Sequence, residues 1–181
     1  MGGSLTPEEI SEIRKSNRYN KIKYFVESGT YKGDTTTLVS PLFDQVYTIE
    51  IHEGLYKEAI SRFKQENLEN ITCLLGNSLD LLGEVSSKVS DGAVFFLDAH
   101  ISGSDSSWDG VHRVPIYEEL DAILQHRLGP SVFVIDDLRL WVQGTWDWSH
   151  VTNEGIIKKF LDKEYHVLSY YEKNDRFYVY I

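Results

Sequence analysis

Short apolar runs alternate with helix-compatible stretches along most of this chain, and that alternation is its strongest constraint on fold. The runs lie at 22–27, 46–51, 70–75, 92–98 and 131–136, with helices expected at 34–41, 53–67, 78–88, 114–127 and 153–162. Strands separated by whole helices cannot pair as hairpins, so they form a parallel sheet joined by right-handed crossovers. The C-terminal end breaks the rhythm. Residues 166–171 and 176–181 are separated only by Glu172-Lys173-Asn174-Asp175, too few for a crossover, and read as an antiparallel hairpin. The expected fold class is therefore α/β: a doubly wound, Rossmann-like, mostly parallel seven-stranded sheet with a C-terminal antiparallel hairpin. Thr6-Pro7-Glu8-Glu9 supplies an N-cap, a proline at the first helical position and first-turn acids, predicting a helix over 6–17 within an N-terminal leader of residues 1–21. At 181 residues a single domain over 1–181 is expected.

Charge narrows the partners. Lys and Arg number 18 against 28 Asp and Glu, a net charge of −10, and no basic run appears, so a nucleic-acid backbone is repelled. The lone Cys73, inside an apolar strand, precludes an internal disulfide framework and suits a cytoplasmic location. There is neither an apolar run of about 18 residues nor a signal-peptide core, so no membrane partner is expected. Met1-Gly2-Gly3-Ser4-Leu5-Thr6 fits a loose myristoylation pattern and Asn70-Ile71-Thr72 a glycosylation sequon; neither carries weight without a supporting context.

The first strand ends in Glu27-Ser28-Gly29-Thr30-Tyr31-Lys32-Gly33-Asp34-Thr35-Thr36, a glycine-containing turn into a helix. Gly29 permits a tight turn and close approach to a ligand, and Gly33 permits close packing of the helix against the strand. The spacing is E-x-G-x-x-x-G rather than G-x-G-x-x-G, and it sets an acid where a pyrophosphate would be repelled, so the turn suits an ammonium or cationic centre. Glu50 ends the next strand 23 residues after Glu27, near the offset of roughly 20 at which an acid binds ribose hydroxyls. A cationic, ribose-bearing cofactor satisfies both acids.

On these residues the chain, from about Tyr24 to its C-terminus, resembles the class I S-adenosylmethionine-dependent methyltransferases, in particular the small metal-dependent O-methyltransferases of the catechol and macrocin (sugar) type. The resemblance implies S-adenosylmethionine as cofactor. Glu27, Gly29, Thr30, Tyr31, Gly33 and Thr35 would surround its methionine part, Glu50 and Ile51 its ribose, and the Gly76-Asn77-Ser78 turn its adenine, with Asn77, Ser78 and Asp98 in contact.

The fourth strand ends in Asp98-Ala99-His100 and the fifth in Asp136-Asp137. Neighbouring strands lie about 4.8 Å apart, so these carboxylates converge and repel unless a cation neutralises them, and hard oxygen ligands favour Mg²⁺ or a similar divalent ion. The resemblance implies the same ligands, Asp98, Asp136 and Asp137, and makes Asp98 and His100 the catalytic pair. His100 lies where such enzymes place a general base; Asp105, Asp109 or a lysine are alternatives. The longer segments 101–113 and 138–152 follow strand C-termini and carry Trp108, Trp141, Trp146 and Trp148, either as an acceptor-binding wall or as a satellite hydrophobic cluster. The implied acceptor is a hydroxyl of a small molecule, sugar or phenol-like; homo-oligomerisation is left open. One rival is an SGNH-type esterase, from Gly76-Asn77-Ser78-Leu79 with Asp109 and His112; another is a non-catalytic binding protein with this fold.

Overall fold

The computed structural model describes residues 3–100, 110–111 and 113–181. Strands β1 (Tyr24–Ser28), β2 (Gln45–Glu50), β3 (Ile71–Leu75), β4 (Ala93–Leu97) and β5 (Val132–Ile135) are parallel, while β6 (Ser169–Lys173) and β7 (Arg176–Tyr180) form the terminal hairpin. The sheet has seven strands in the order β3-β2-β1-β4-β5-β7-β6, with β7 antiparallel to β5. The expected α/β sheet with its antiparallel hairpin is the architecture observed. Strands step outward from β1 to β3 and then return to the other side of β1 with β4. The ends of β1 and β4 therefore flank the crevice where strand order reverses, the usual ligand site of open α/β sheets.

Successive residues along each strand serve opposite layers. Phe25, Val46, Phe96, Val134 and Tyr178 pack with Ile10 and Ile13 of α1 (Pro7–Ile13) and Val39 of α2 (Asp34–Val39). Val26, Ile49, Phe95, Phe133 and Val179 face the other way. They meet Leu82 and Val85 of α4 (Ser78–Lys88), Leu120 and Ile123 of α5 (Ile116–Leu124), and Ile156 and Phe160 of α7 (Asn153–Asp162). Helix α3 (Glu53–Gln65) packs on β2 and β3. Among the described residues no helix is long and apolar enough to cross a membrane.

Of the boundaries that differ from expectation, three have a clear physical reason. The hairpin turn is the two residues Asn174-Asp175, at φ 52° and 63°, rather than four. Asn and Asp tolerate the left-handed region that a tight hairpin turn demands, so the strands extend to Lys173 and Arg176. The segment expected to be irregular over 138–152 contains helix α6 (Leu138–Val142) and a 3₁₀ turn at Trp146–Trp148. Both are too short to show a helical period. Helix α1 ends at Ile13, four residues early, but it is no loose leader: Leu5, Ile10 and Ile13 are buried, and Thr6 and Glu9 form a reciprocal capping box.

A candidate cofactor site beside an acid cluster

Gly29 sits at φ +86°, and a Cβ there would lie 2.7 Å from the Asp98 carbonyl oxygen, so only glycine lets the loops after β1 and β4 meet. The Gly29 and Thr30 amides both donate to the Ile49 carbonyl, at 3.0 and 3.1 Å, pinning the turn over the end of β2. Gly33 also has positive φ, but its close neighbour is the Phe63 ring of α3, 2.6 Å from a hypothetical Cβ, rather than the strand that the sequence suggested.

Glu50 is buried with its carboxylate oriented by two backbone donors, Tyr31 N–H at 2.7 Å and His52 N–H at 2.8 Å. A carboxylate has about four lone-pair sites, so each oxygen retains capacity to accept a hydroxyl. Ile51 follows it half-buried, and the Gly76 amide donates to the Glu50 carbonyl at 2.9 Å, drawing the Gly76-Asn77-Ser78 turn alongside. Asn77 caps α4 by accepting from the Leu79 amide at 3.1 Å. Glu27 lies beneath α2, where it accepts from the Thr36 hydroxyl and, at 2.6 Å, from the Thr48 hydroxyl; Thr30 and Thr48 are linked at 2.5 Å. Burial raises the Glu27 carboxyl to about 7, against the pull of those hydroxyls. Thr35 is already engaged, accepting from the Leu5 amide at 3.2 Å.

Sequence reasoning missed Glu119. It is buried on α5, its carboxyl meets the Ser78 hydroxyl with Ser28 beside it, and Oε1 has no hydrogen-bond partner. The available signal was an acid on the stripe formed by Ile116, Leu120, Ile123 and Leu124. Burial raises this carboxyl also to about 7. Both Glu27 and Glu119 bind protons more tightly folded than unfolded, so their stabilisation is complete below their ordinary value of 4.5 and is lost as pH rises through about 7. The loss is on the order of 3 kcal/mol each. Glu119→Gln should abolish its share, narrowing the difference in urea-denaturation free energy between pH 5 and pH 8. An unchanged difference would remove Glu119 from this account.

The acid cluster is not the one expected. Ligand atoms of Asp98, His100 and Asp137 lie within 4.8 Å of one another. His100 is buried edge-on against Trp148, ring centroids 4.7 Å apart, with Nε2 2.5 Å from Asp137 Oδ2 and Nδ1 3.5 Å from Asp98 Oδ1. Burial alone would lower its pKa, but the hydrogen bond to Asp137 and the charges of Asp98, Asp137 and Asp136 raise it. The cationic form is favoured, and neither nitrogen offers a free lone pair to a substrate proton, unlike the neutral base read from the sequence. Asp137, held at φ 62°, also accepts from Arg139 Nη1 at 2.5 Å; its burial is outweighed by His100 and Arg139, and its pKa falls to about 2. Asp136, just past the end of β5, pairs with buried Arg176 (Nε to Oδ1 3.0 Å), which also holds Glu9 at 2.7 Å. Burial raises the Asp136 pKa despite Arg176. Among the described residues Asp98, a third exposed, has no cation closer than His100. Burial first, then Asp136, Asp137 and Glu27, raise it to about 8 against the offset from His100.

Trp141 and Trp148 are buried and stacked, centroids 5.8 Å apart, as part of the core. That is the hydrophobic-cluster reading of these two residues. Beside them, a cavity of about 280 Å³ is lined by Val111, Arg113, Val114, Glu118, Asp147 and His150. The esterase reading loses its nucleophile, because Ser78 is buried against Glu119. Asp105, Trp108, Asp109 and His112 lie outside the described residues.

No protein-family profile matches the chain. A 55-residue stretch is 46% identical to the protein-L-isoaspartate O-methyltransferase of Thermosipho melanesiensis, covering 29% of this chain and 28% of that protein. The chain is similar over 98% of its length to two solved structures. One is the O-methyltransferase TomG of Streptomyces achromogenes, involved in tomaymycin synthesis and in complex with SAM; the other is an O-methyltransferase of Bacillus cereus in complex with SAH. Each has 14% identity, 81% of its own chain covered and a TM-score of 0.62. An rRNA methylase of Streptococcus thermophilus matches at 15% identity and TM-score 0.51, over 97% of this chain and 95% of that one. The chain has the Rossmann-like fold of class I methyltransferases.

Proposed function

We propose that this protein is an S-adenosylmethionine-dependent O-methyltransferase acting on a hydroxyl of a small molecule, sugar or phenol-like. The observation that carries the reading is the pairing of the Gly29 cradle, closed on Asp98, with a Glu50 carboxylate preset by two amides, both at the strand-order reversal. Those residues fit an adenosyl cofactor. The acidic surface argues against an RNA acceptor like that named for the S. thermophilus methylase, and Cys73 and the composition suit a cytoplasmic protein.

When bound, the cofactor would supply a methyl on a sulfonium, and the acceptor hydroxyl would give up its proton to a group of the chain. Within the chain, Glu50 positions the ribose, and the Gly29–Tyr31 turn fixes depth by letting backbone approach closely. Asp98 takes the proton, since among the described residues its nearest cation, His100 Nδ1 at 3.5 Å, lies farther off than the partners that hold Asp136 and Asp137. The buried ring of Trp148 screens one side of the cluster from water.

Glu50→Ala removes charge-assisted bonds worth roughly 1.5–3 kcal/mol each before compensation, so cofactor affinity should fall at least tenfold by roughly the 1.4 kcal/mol-per-decade rule. Calorimetric titration of folded Glu50→Ala with S-adenosylhomocysteine checks this. An unchanged dissociation constant would contradict the site.

A further inference from the structure

Converging acids at the ends of β4 and β5 require compensating positive charge, and the resemblance assigns that task to a divalent ion. Here the chain brings its own cations. Asp136 Oδ1 lies 3.0 Å from Arg176 Nε, with both side chains under 5% exposed. Both Asp137 oxygens are occupied, Oδ1 by Arg139 Nη1 and Oδ2 by His100 Nε2, each at 2.5 Å. His100 spans the remaining gap, its Nδ1 3.5 Å from Asp98 Oδ1. Arg139 and Arg176 are also shared with Asp175 and Glu9. These two acids draw separate support: Asp175 accepts from the Arg139 amide at 2.7 Å, and Glu9 from the Thr6 amide at 2.9 Å and the Tyr178 hydroxyl at 3.2 Å.

This donor set does not fit Mg²⁺. The ion demands near-octahedral oxygen ligands at about 2.0–2.1 Å. To reach Asp137 it would have to displace a guanidinium or an imidazole already in contact. Asp136 is already paired with Arg176, and His100, the third member of the group with Asp98 and Asp137, is a nitrogen donor whose two nitrogens both face carboxylates. Asp137 is fixed in its inward pose by a left-handed backbone and by Arg139 two residues later, whose amide and guanidinium both bind Asp175 of the hairpin turn.

We infer that Arg139, Arg176 and His100 replace a divalent cation in balancing Asp98, Asp136 and Asp137, so that methyl transfer by this chain proceeds without bound Mg²⁺. The inference rests on the proposed methyltransferase reading only for what the site catalyses; the charge balance stands on the ion pairs alone. Arg139 is the gatekeeper. A third of its side chain is exposed, so its removal spares the core while freeing Asp137 Oδ1.

Titrating Mn²⁺ as a paramagnetic probe, and Mg²⁺ by calorimetry, into the full chain tests this with no assay of activity. Wild type should show no saturable binding at millimolar metal. Arg139→Met should gain saturable Mn²⁺ binding at least about tenfold tighter than wild type, and adding Asp137→Asn should abolish the gain. Saturable binding to wild type that Asp137→Asn removes would overturn the inference. Absence of binding in both wild type and folded Arg139→Met would overturn the role given to the guanidinium. S-adenosylhomocysteine titrated into the same samples reports separately on the proposed function: no heat there would sink the methyltransferase reading and leave the metal result standing.

Discussion

Arg176→Met should cost the fold about 3–5 kcal/mol, the loss typical of breaking a buried ion pair from one side. Arg176 is 4% exposed and is the cation shared by Asp136, which follows β5, and Glu9 of α1. Without it two buried carboxylates lose their counter-charge while the desolvation already raising Asp136 remains. Both folded-state pKa values then rise. A raised carboxyl pKa stabilises below its ordinary value and loses that stability with rising pH, so the defect should be small near pH 5 and large at pH 8. Urea denaturation of wild type and variant at both pH values measures it. Asp136→Asn in the Arg176→Met background should recover part of the loss, because an amide needs no counter-charge. Equal stability of wild type and Arg176→Met at pH 8 would show that the ion pair contributes nothing.

That network also marks where the sequence stopped being legible. The turn from Glu27 to Thr36 and the acid that ends β2 could be read because strand, glycine and helix start are encoded within a dozen adjacent residues, and the hairpin because too few residues separate its strands. Ion pairs are not local. Arg176 stands 40 residues from Asp136 and more than 160 from Glu9, and nothing in its own neighbourhood announces either partner. Asp136 and Asp137 were different: they are adjacent past the end of β5, yet Asp137 takes a left-handed backbone and each acid meets a different arginine. Glu119 shows the converse, an acid on an apolar helical stripe whose significance depends on Ser28 and Ser78 arriving from two other elements.

Asp98→Asn should lower turnover by roughly 10²- to 10⁴-fold, the usual contribution of a positioned proton acceptor, equivalent to about 3–5 kcal/mol of barrier. The substitution keeps the shape of the side chain and the backbone carbonyl that lies against Gly29, so cofactor affinity should change far less than turnover. The pH dependence separates catalysis from structure. Asp98 is raised to about 8 by burial and by the negative charges of Asp136, Asp137 and Glu27, with His100 opposing. A base works when ionised, so wild-type turnover should climb as pH rises through about 8, and the variant should lose that inflection. Stability runs the other way. A raised carboxyl pKa stabilises at low pH and is a liability above it, so Asp98→Asn should equal or exceed wild-type stability at pH 9 while its turnover is lowest relative to wild type there. A merely structural acid would lose stability along with activity and leave the shape of the pH profile intact. Turnover and denaturation of both proteins from pH 6 to 9.5 distinguish the two, and an inflection that persists unchanged in Asp98→Asn would move the proton to another group.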